Sequence, residues 1–430
     1  MGYATAALLG FVVLVAAPGA TQPFTAPKLL VGTAGSAVIV LWAIATSRLR
    51  WRVPAGLAFA LAAFAAVMGL AAAHGGAGSF SQFAFLLSGP IVLILILALD
   101  DSDLARPACG LVWAAAVVAA VAVVQRAGLD PWRLAGWAPS AEYASPRMRA
   151  YATLGNPNFV ASVLAVSLPW AIVVFSGAGA RVLVSAALVT GILATGSRVG
   201  LVAAGAGLAS LAWASRPVVR LPAKSAGQER RGPTSAAKPA LAILVLAVVV
   251  VLAAALSERA VMESIAGRLL PVRVAWPQAP HHPIFGLGLG AVARDYATWQ
   301  AAFFADPTHA SLARFAGDFD HLHNEPIEWL VETGLVGLAA WVAVVVLALR
   351  AGARRGEPPD ARAQTMRTAA LSALVAVAAV SLADFPLHRP ADYLAVWLAL
   401  AVAARPAPGR AEALRYGRGQ HIVAACTRQS

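Results

Sequence analysis

The sequence predicts an all-α fold, a polytopic membrane bundle of about 12 transmembrane helices. Hydrophobic residues make up 60% of the 430 residues and charged residues only 12%, whereas soluble domains carry roughly 25% charged residues. Apolar runs of about 20 residues recur along the whole chain, and each could cross a bilayer core of roughly 30 Å. Because these runs are continuous rather than alternating, they exclude a transmembrane β-barrel.

We place twelve spans on these apolar runs. They cover residues 3–20, 29–46, 53–73, 82–99, 108–125, 157–175, 180–195, 198–215, 240–257, 324–349, 368–384 and 390–404. The last two are short, and they could instead form a re-entrant pair. The first run ends in small residues, as a signal peptide does, but it lacks a positively charged start and is therefore assigned as a span.

The basic residues set the predicted topology. With the N-terminus in the cytoplasm, most of the 33 lysines and arginines fall in cytoplasmic loops, as the positive-inside rule requires. Both termini are then cytoplasmic. This rule accounts for the net charge of +13 better than nucleic-acid binding does.

Three regions follow from this arrangement. Residues 1–257 carry the first nine helices, residues 258–323 form a large outward loop, and residues 324–430 carry the last three helices and a basic cytoplasmic tail. Within the first region, residues 216–239 are basic and rich in Pro, Gly, Ser and Ala, which is typical of a flexible cytoplasmic linker. This linker could also contact lipid headgroups.

The end of the outward loop, residues 318–337, is the strongest candidate for a site. Asn324 suits the N-cap of the following helix, and the free N–H groups at such a helix start attract anions. His323 beside it could donate to an anion or accept a proton near neutral pH. The alternative is that His323 only satisfies its neighbours at the start of the helix.

Acidic residues surround this histidine. Glu325, Glu328 and Glu332 share one face of the helix, and Glu332 lies about two turns inside, where an acidic group is costly and usually functional. It could instead pair with an arginine of a neighbouring helix. Alternating Asp and His residues at 318–325 raise the possibility of a metal, but the spacings of known zinc motifs are absent and we predict no metal site.

Three arginines and two asparagines are further candidates. Arg198 lies in a tight outward turn, where its guanidinium could hold a phosphate bidentately or reach lipid headgroups. Arg268 and Arg273 lie in the outward loop, ahead of a GLGLG stretch that predicts a turn because no strand precedes it. Asn156 and Asn158 flank a proline at the start of the sixth span and predict a turn with an N-cap.

Four motifs, in this order, resemble the O-antigen ligase and polymerase family of bacterial membrane glycosyltransferases. They are Gly155-Asn156-Pro157-Asn158; the turn Gly196-Ser197-Arg198-Val199-Gly200, with Val199 where the family often has a small residue; Gly267-Arg268 followed by His282-Pro283-Ile284-Phe285-Gly286-Leu287-Gly288; and His323-Asn324 followed by Gly334 and Gly337. The resemblance covers about residues 155–341.

The resemblance implies a GT-C-like bundle in the bacterial inner membrane, with residues 258–323 as a periplasmic loop. It implies transfer of a glycan from undecaprenyl diphosphate to an acceptor hydroxyl at the periplasmic face, without cofactor or metal. The acceptor would be a lipid A-core sugar in a ligase, another glycan in a polymerase, or a protein side chain in a protein O-oligosaccharyltransferase. A transporter, with Asp384 and Glu332 as its ionisable groups, and a scaffold protein stay open as alternatives.

The chemistry assigns roles to these residues. A diphosphate leaving group gains negative charge as its bond to the sugar breaks, and preorganised cations stabilise that charge. We therefore expect catalysis by His323, Arg268 and Arg198, with His323 as the first candidate for the base and Glu332 as a weaker one. We expect substrate contacts from Asn324, Glu332, Arg273, Asn156 and Asn158.

Overall fold

The structure is a computed structural model that describes residues 1–76, 78–137, 150–215, 258–353 and 361–405. These residues form α-helices, short 3-10 segments and turns, with no strand among them. The helices are α1 (Gly2–Leu14), α2 (Ala26–Ala45), α3 (Ala55–Gly75), α4 (Ser79–Leu97), α5 (Ala105–Arg126), α6 (Pro131–Leu134), α7 (Pro157–Val174), α8 (Ala178–Thr195), α9 (Arg198–Ala214), α10 (Glu258–Ala275), α11 (Ala291–Phe304), α12 (Glu325–Ala353), α13 (Ala361–Ser381) and α14 (Pro390–Ala404). The predicted all-α fold class is confirmed.

Eight helices are long and apolar enough to cross a membrane, namely α2, α3, α4, α5, α7, α8, α12 and α13. Helices α1, α9 and α14 are apolar but shorter. All of them coincide with predicted spans. The remaining predicted span, at 240–257, lies outside the described residues, as do the linker 216–239 and the tail beyond residue 405. The polytopic membrane fold is confirmed, and the number of twelve spans stays a prediction.

Helix α14 lies at the centre of the bundle. All 15 of its residues are buried, and it packs against α4, α12 and α13. At 1.5 Å per residue it is only about 22 Å long, but protein surrounds it, so its length does not have to match the bilayer. Helix α13 has 21 residues and is apolar enough to cross alone, which argues against a re-entrant pair.

Two ends of the bundle differ in character. At one end, arginines pair with aspartates of the α4–α5 connection. Arg52, between α2 and α3, lies 3.0 Å from Asp100, and Arg405, at the end of α14, lies 2.8 Å from Asp101. At the other end lie the starts of α2, α7, α12 and α14, which together border one cavity. This arrangement places the basic loops and the cavity at opposite faces of the bundle.

Helix α12 is interrupted at Gly334, where the backbone is not helical and φ is 66°. The segment 283–288 lies against the break and satisfies the backbone groups that the interruption leaves free. Its four hydrogen bonds are Leu335 N to Pro283 O (2.8 Å), Val336 N to Ile284 O (3.1 Å), Leu287 N to Val331 O (2.9 Å) and Gly288 N to Glu332 O (2.9 Å).

Glycines make this close approach possible. A Cβ added at Gly334 would overlap the carbonyl oxygen of Ile284, and one at Gly286 would overlap the backbone of Glu332. Both glycines also have positive φ, which other residues rarely adopt. The GLGLG stretch is thus a packing turn, as predicted, and two of the resemblance motifs meet at one contact.

The predicted outward loop folds into a small helical module. It contains α10, α11 and two 3-10 segments, Trp276–His281 and Pro307–Phe315. Its own apolar core includes Leu270, Val274, Val292 and Tyr296, together with Val331 from α12. Because Val331 belongs to the first half of α12, this core joins the module to the helix that begins at the cavity.

Candidate active site

A cavity of about 350 Å³ opens where the starts of several helices converge. Its walls include Lys28 from α2, Phe159 from α7 and Ala391 from α14, and also the segment 318–323 that leads into α12. Ligand sites commonly have volumes of roughly 300–1,000 Å³. The cavity therefore gathers side chains from distant parts of the sequence into a space large enough for a small polar group.

His323 lines this cavity, one residue before the N-cap of α12. Its backbone has φ of 53°, in the left-handed region, where a non-glycine residue is strained by on the order of 1–3 kcal/mol. Its Nδ1 lies 3.5 Å from Oδ1 of Asp384. Such long contacts in an unliganded site often shorten when substrate binds. A strained polar residue facing a cavity is typical of a functional side chain.

Behind this pair, Arg389 holds Asp384 in place. The guanidinium contacts Asp384 Oδ2 at 3.1 Å and Asp392 Oδ2 at 3.0 Å, and it donates to Ser162 Oγ at 3.1 Å. Ser162 in turn donates to Asp392 Oδ1 at 2.6 Å. All three charged side chains are at least 90% buried. This network gives the carboxylate behind His323 a fixed orientation.

The network also determines the charge of Asp384. Burial alone would raise the pKa of this carboxyl, but the charge of Arg389 and the contact with His323 outweigh burial and hold the pKa at about 2. Asp384 is therefore an anion at neutral pH. An anion facing Nδ1 favours the tautomer with its proton on that nitrogen, which leaves the opposite nitrogen of His323 able to accept a proton.

A second cluster lies beside the first and centres on His388. Its Nδ1 lies 2.9 Å from Glu325 Oε1, and its Nε2 lies 3.5 Å from Glu328 Oε1 and 4.0 Å from Glu332 Oε2. His321 Nδ1 lies 2.5 Å from the same Glu328 oxygen. The three glutamates predicted to share a helix face do share it, and they converge on one histidine.

Three of these residues form a possible ligand set for a cation. The donor atoms of His321, Glu328 and His388 lie within 4.8 Å of one another, and this set differs from the Asp and His residues considered at 318–325. Burial would lower the pKa of His388, but Glu328 and Glu325 outweigh burial and raise it to about 10. In its protonated form this imidazole has no lone pair for a metal ion, and it then forms an ionic cluster with the glutamates.

The predicted capping residues are in place. Asn324 Oδ1 accepts from Ile327 N at 3.2 Å, at the start of α12, and Asn324 Nδ2 donates to Leu382 O at 3.2 Å. Asn156 Oδ1 accepts from Asn158 N at 2.8 Å, at the start of α7. These contacts confirm the predicted N-caps, and they connect the start of α12 to the segment that carries Asp384.

Arg198 is the first residue of α9 and is half-buried. The preceding Ser197 caps this helix by accepting from Gly200 N at 3.2 Å, and it donates to Asn158 Oδ1 at 2.8 Å. The turn that carries Arg198 therefore lies against the start of α7, close in the fold to Phe159 of the cavity wall. Arg198 itself is not among the residues that line the cavity.

The other predicted cations lie on the helical module. Arg268 is half-buried on α10, and Arg273 is exposed one turn later. Neither lines the cavity. The sequence predicts both in the same outward segment. In the structure they lie on one helix but differ in exposure, because Arg268 is half-buried and Arg273 is exposed.

Glu332 is 97% buried, since only 3% of its surface is exposed, and it does not line the cavity. Its Oε1 accepts from Val292 N at 3.2 Å, at the start of α11. In the described part of the chain, this helix start and His388 are its close partners, rather than the arginine proposed as an alternative. Glu332 thus joins the helical module to α12.

Most of the network behind His323 does not follow from the sequence pattern. Arg389, Asp392 and His388 were not singled out, and Asp384 was considered only for a transporter, as a group near the middle of a span. The structure places Asp384 in the connection after α13, at the cavity end of the bundle. The available signal was the run of charged residues in ADFPLHRPAD, between two apolar helices.

Comparison with known proteins supports the resemblance found from the sequence motifs. Residues 183–342 match a family model described as O-antigen ligase. The match includes Arg198, Arg268 and His323, and it ends before Asp384. No curated protein matches the chain. Residues 183–342, less than half of the chain, are thus similar to the O-antigen ligase family.

Proposed function

We propose that the protein is a metal-independent, inverting glycosyltransferase of the ligase type. It moves a glycan from undecaprenyl diphosphate to an acceptor hydroxyl, with a lipid A-core sugar as acceptor. The observation that carries this proposal is the position of His323, which has a strained backbone, an anionic Asp384 behind it and the cavity in front of it.

In this mechanism His323 is the base. The acceptor hydroxyl oxygen attacks the anomeric carbon of the donor sugar while His323 takes the hydroxyl proton. The bond between that carbon and the diphosphate oxygen breaks, and the diphosphate leaves with the electron pair. Attack on the face opposite the leaving group inverts the anomeric carbon. The anion of Asp384 stabilises the imidazolium that forms, as carboxylates do in comparable pairs.

Cations must stabilise the departing diphosphate. We assign this role to Arg198 and Arg268, because both fall in family motifs and guanidinium groups match phosphate oxygens. The support for Arg198 is the hydrogen bond between Ser197 and Asn158, which holds its turn at the cavity end of the bundle. The support for the role of Arg268 is its position in the family motif. Asn324, Arg273, Asn156, Asn158 and Glu332 remain the proposed substrate-binding residues.

The proposed location follows from the positive-inside rule. The α2–α3 connection, with Arg52, and the end of α14, with Arg405, lie at the end opposite the cavity. If those connections are cytoplasmic, both termini are cytoplasmic and the cavity faces the periplasm of a bacterial inner membrane. No nucleotide sugar is available at that face, which supports a lipid-linked donor.

The test is glycan analysis in a strain that makes a lipid-linked O-antigen but lacks its own ligase. Expression of the protein should move glycan from the lipid carrier to lipid A-core, and His323→Ala should abolish this transfer while inserting normally. A chelator added to membranes from this strain should leave transfer unchanged. Lengthening of carrier-linked glycan would instead identify a polymerase, and glycan on proteins a protein O-oligosaccharyltransferase. Full transfer by His323→Ala would refute the assigned base.

A further inference from the structure

Lys28 is a buried cation on the wall of the same cavity. It is the third residue of α2, only 2% of its surface is exposed, and it lines the cavity. A lysine buried in an apolar membrane helix is costly and commonly functional. Lys28 lies far outside the segment that matches the ligase family, and none of the motifs considered above includes it.

The contacts of Lys28 leave its charge without a matching anion. Its Nζ donates to the carbonyl oxygens of Val13 and Val15, at the end of α1, and the first of these contacts is 3.0 Å. An ammonium has three N–H donors, so one more can serve a ligand. Within the residues that the structure describes, no carboxylate lies within 4.0 Å of this ammonium.

Arg389, the other buried basic residue of the cavity wall, does have carboxylate partners. Arg389 contacts two carboxylates, those of Asp384 and Asp392, at 3.1 and 3.0 Å. Its charge is therefore already balanced. Among the described residues, Lys28 is the buried amine of this wall without a carboxylate partner, and an anion bound beside it would favour its ammonium form.

The two walls of the cavity suit different parts of one ligand. Lys28 shares its wall with Gln22 and with Thr25, whose hydroxyl makes no capping hydrogen bond to α2. The segment 318–323 supplies Asp318 and Asp320, acidic acceptors beside His323. Carboxylates repel a phosphate but accept hydrogen bonds from hydroxyls. A molecule with an anionic end and a hydroxyl-rich end fits this polarity.

We propose that Lys28 binds the diphosphate of the lipid-linked donor. This inference rests on the proposed function, and it adds to Arg198 and Arg268 a cation from the N-terminal part of the chain. Lys28 orients the diphosphate on the α2 side of the cavity, while the sugar that it carries lies towards Asp318, Asp320 and His323.

A structural role for Lys28 makes a different prediction. If Lys28 only secures the end of α1, its loss should lower stability without changing the affinity for donor. Thr153 provides a matched control, because its hydroxyl donates to the same carbonyl of Val13 at 2.9 Å and it does not line the cavity. Thr153→Val should lower stability and leave donor binding unchanged.

The experiment measures binding of undecaprenyl diphosphate to the full chain in phosphatidylcholine nanodiscs. Lys28→Met should weaken binding about 10- to 100-fold, as expected for loss of a charged hydrogen bond, and Lys28→Arg should retain most of it. In the transfer assay Lys28→Met should raise the KM for donor and leave the KM for acceptor unchanged. The melting temperature of each variant shows whether it folds. If Lys28→Met is misfolded, the comparison is made between Lys28→Arg and Lys28→Gln instead.

Equal affinity of Lys28→Met and wild type for undecaprenyl diphosphate would overturn the proposal. Equal competition by phosphatidylglycerol would also overturn it, because Lys28 would then bind any anionic headgroup. The binding measurement does not depend on turnover. Loss of binding in Lys28→Met without any transfer by wild type would thus support this site while contradicting the proposed reaction.

Discussion

The Nδ1 of His323 lies 3.5 Å from the carboxylate of Asp384, where the start of α12 meets the end of α13. His323 precedes α12, and Asp384 follows α13. Asn324 strengthens this junction by donating to Leu382 O at 3.2 Å. The proposed base is therefore oriented by a segment that lies outside the matched family region.

Asp384→Asn should reduce kcat while the KM for donor changes little. Asparagine keeps the shape of the side chain but cannot stabilise an imidazolium, and the loss should be on the order of 10²-fold or more. The measurement is steady-state transfer with purified protein. Ser162→Ala is the control, because it disturbs the contacts of Arg389 without touching Asp384 or His323. Wild-type kcat in Asp384→Asn would remove Asp384 from the mechanism.

Arg198→Lys should lose most of the transfer activity. Lysine keeps the charge but cannot make the two parallel hydrogen bonds of a guanidinium, so we expect a loss of about tenfold or more. Arg181→Lys is a matched control at the far end of the adjoining helix α8, where Arg181 contacts backbone carbonyl oxygens. A wild-type rate in Arg198→Lys would indicate that Arg198 only reaches lipid headgroups.

His388 should make stability depend on pH in the alkaline range. Because its pKa is raised to about 10 in the folded protein from about 6.5 in the unfolded chain, its stabilising effect is complete below pH 6.5. That effect is lost as the pH rises towards 10. The melting temperature of wild type should therefore fall between pH 7 and pH 10 more steeply than that of His388→Gln. Parallel curves would show that His388 is not protonated in the folded state.

Gly334→Ala should destabilise the protein strongly. A Cβ there would overlap the carbonyl oxygen of Ile284, and φ is positive, so we expect a cost of about 1–3 kcal/mol or more. Thermal unfolding in detergent would measure it. Gly56→Ala, in the first turn of α3, meets no atom within 4 Å and should be neutral or slightly stabilising. Similar melting temperatures for the two variants would contradict the packing role assigned to Gly334.

Gly337 offers an internal comparison within the same motif. The nearest neighbours for a Cβ there are the hydroxyl and the Cβ of Thr333, and rotation of that side chain would move only the hydroxyl. Rotation would break the hydrogen bond from Thr333 to Trp329 O, which is 2.7 Å long. Gly337→Ala should therefore also destabilise the protein, but less than Gly334→Ala, because only Gly334 of the two combines an overlap with a positive φ. The reverse order would indicate that the kink at Gly334 tolerates a side chain.

Local patterns predicted the local features well. The caps at Asn324 and Asn156 and the common face of Glu325, Glu328 and Glu332 depend on neighbours within a few residues, so spacing alone predicts them. The partner of Glu332 could not be predicted in this way. Its hydrogen bond to Val292 requires the module to fold back on α12, and no local pattern encodes that contact.

The sequence by itself determined that this chain is an apolar helical membrane protein, where most of its helices lie and which motifs resemble a ligase. Hydrophobic length and turn chemistry are properties of short segments, and both can be read without a fold. Only the tertiary structure decided that His323 faces Asp384 and that three glutamates surround His388. It also decided that Lys28 lines the same cavity as the two histidines. These pairings depend on which helix ends meet, and the packing of α2, α7, α12 and α14 at one face of the bundle determines that.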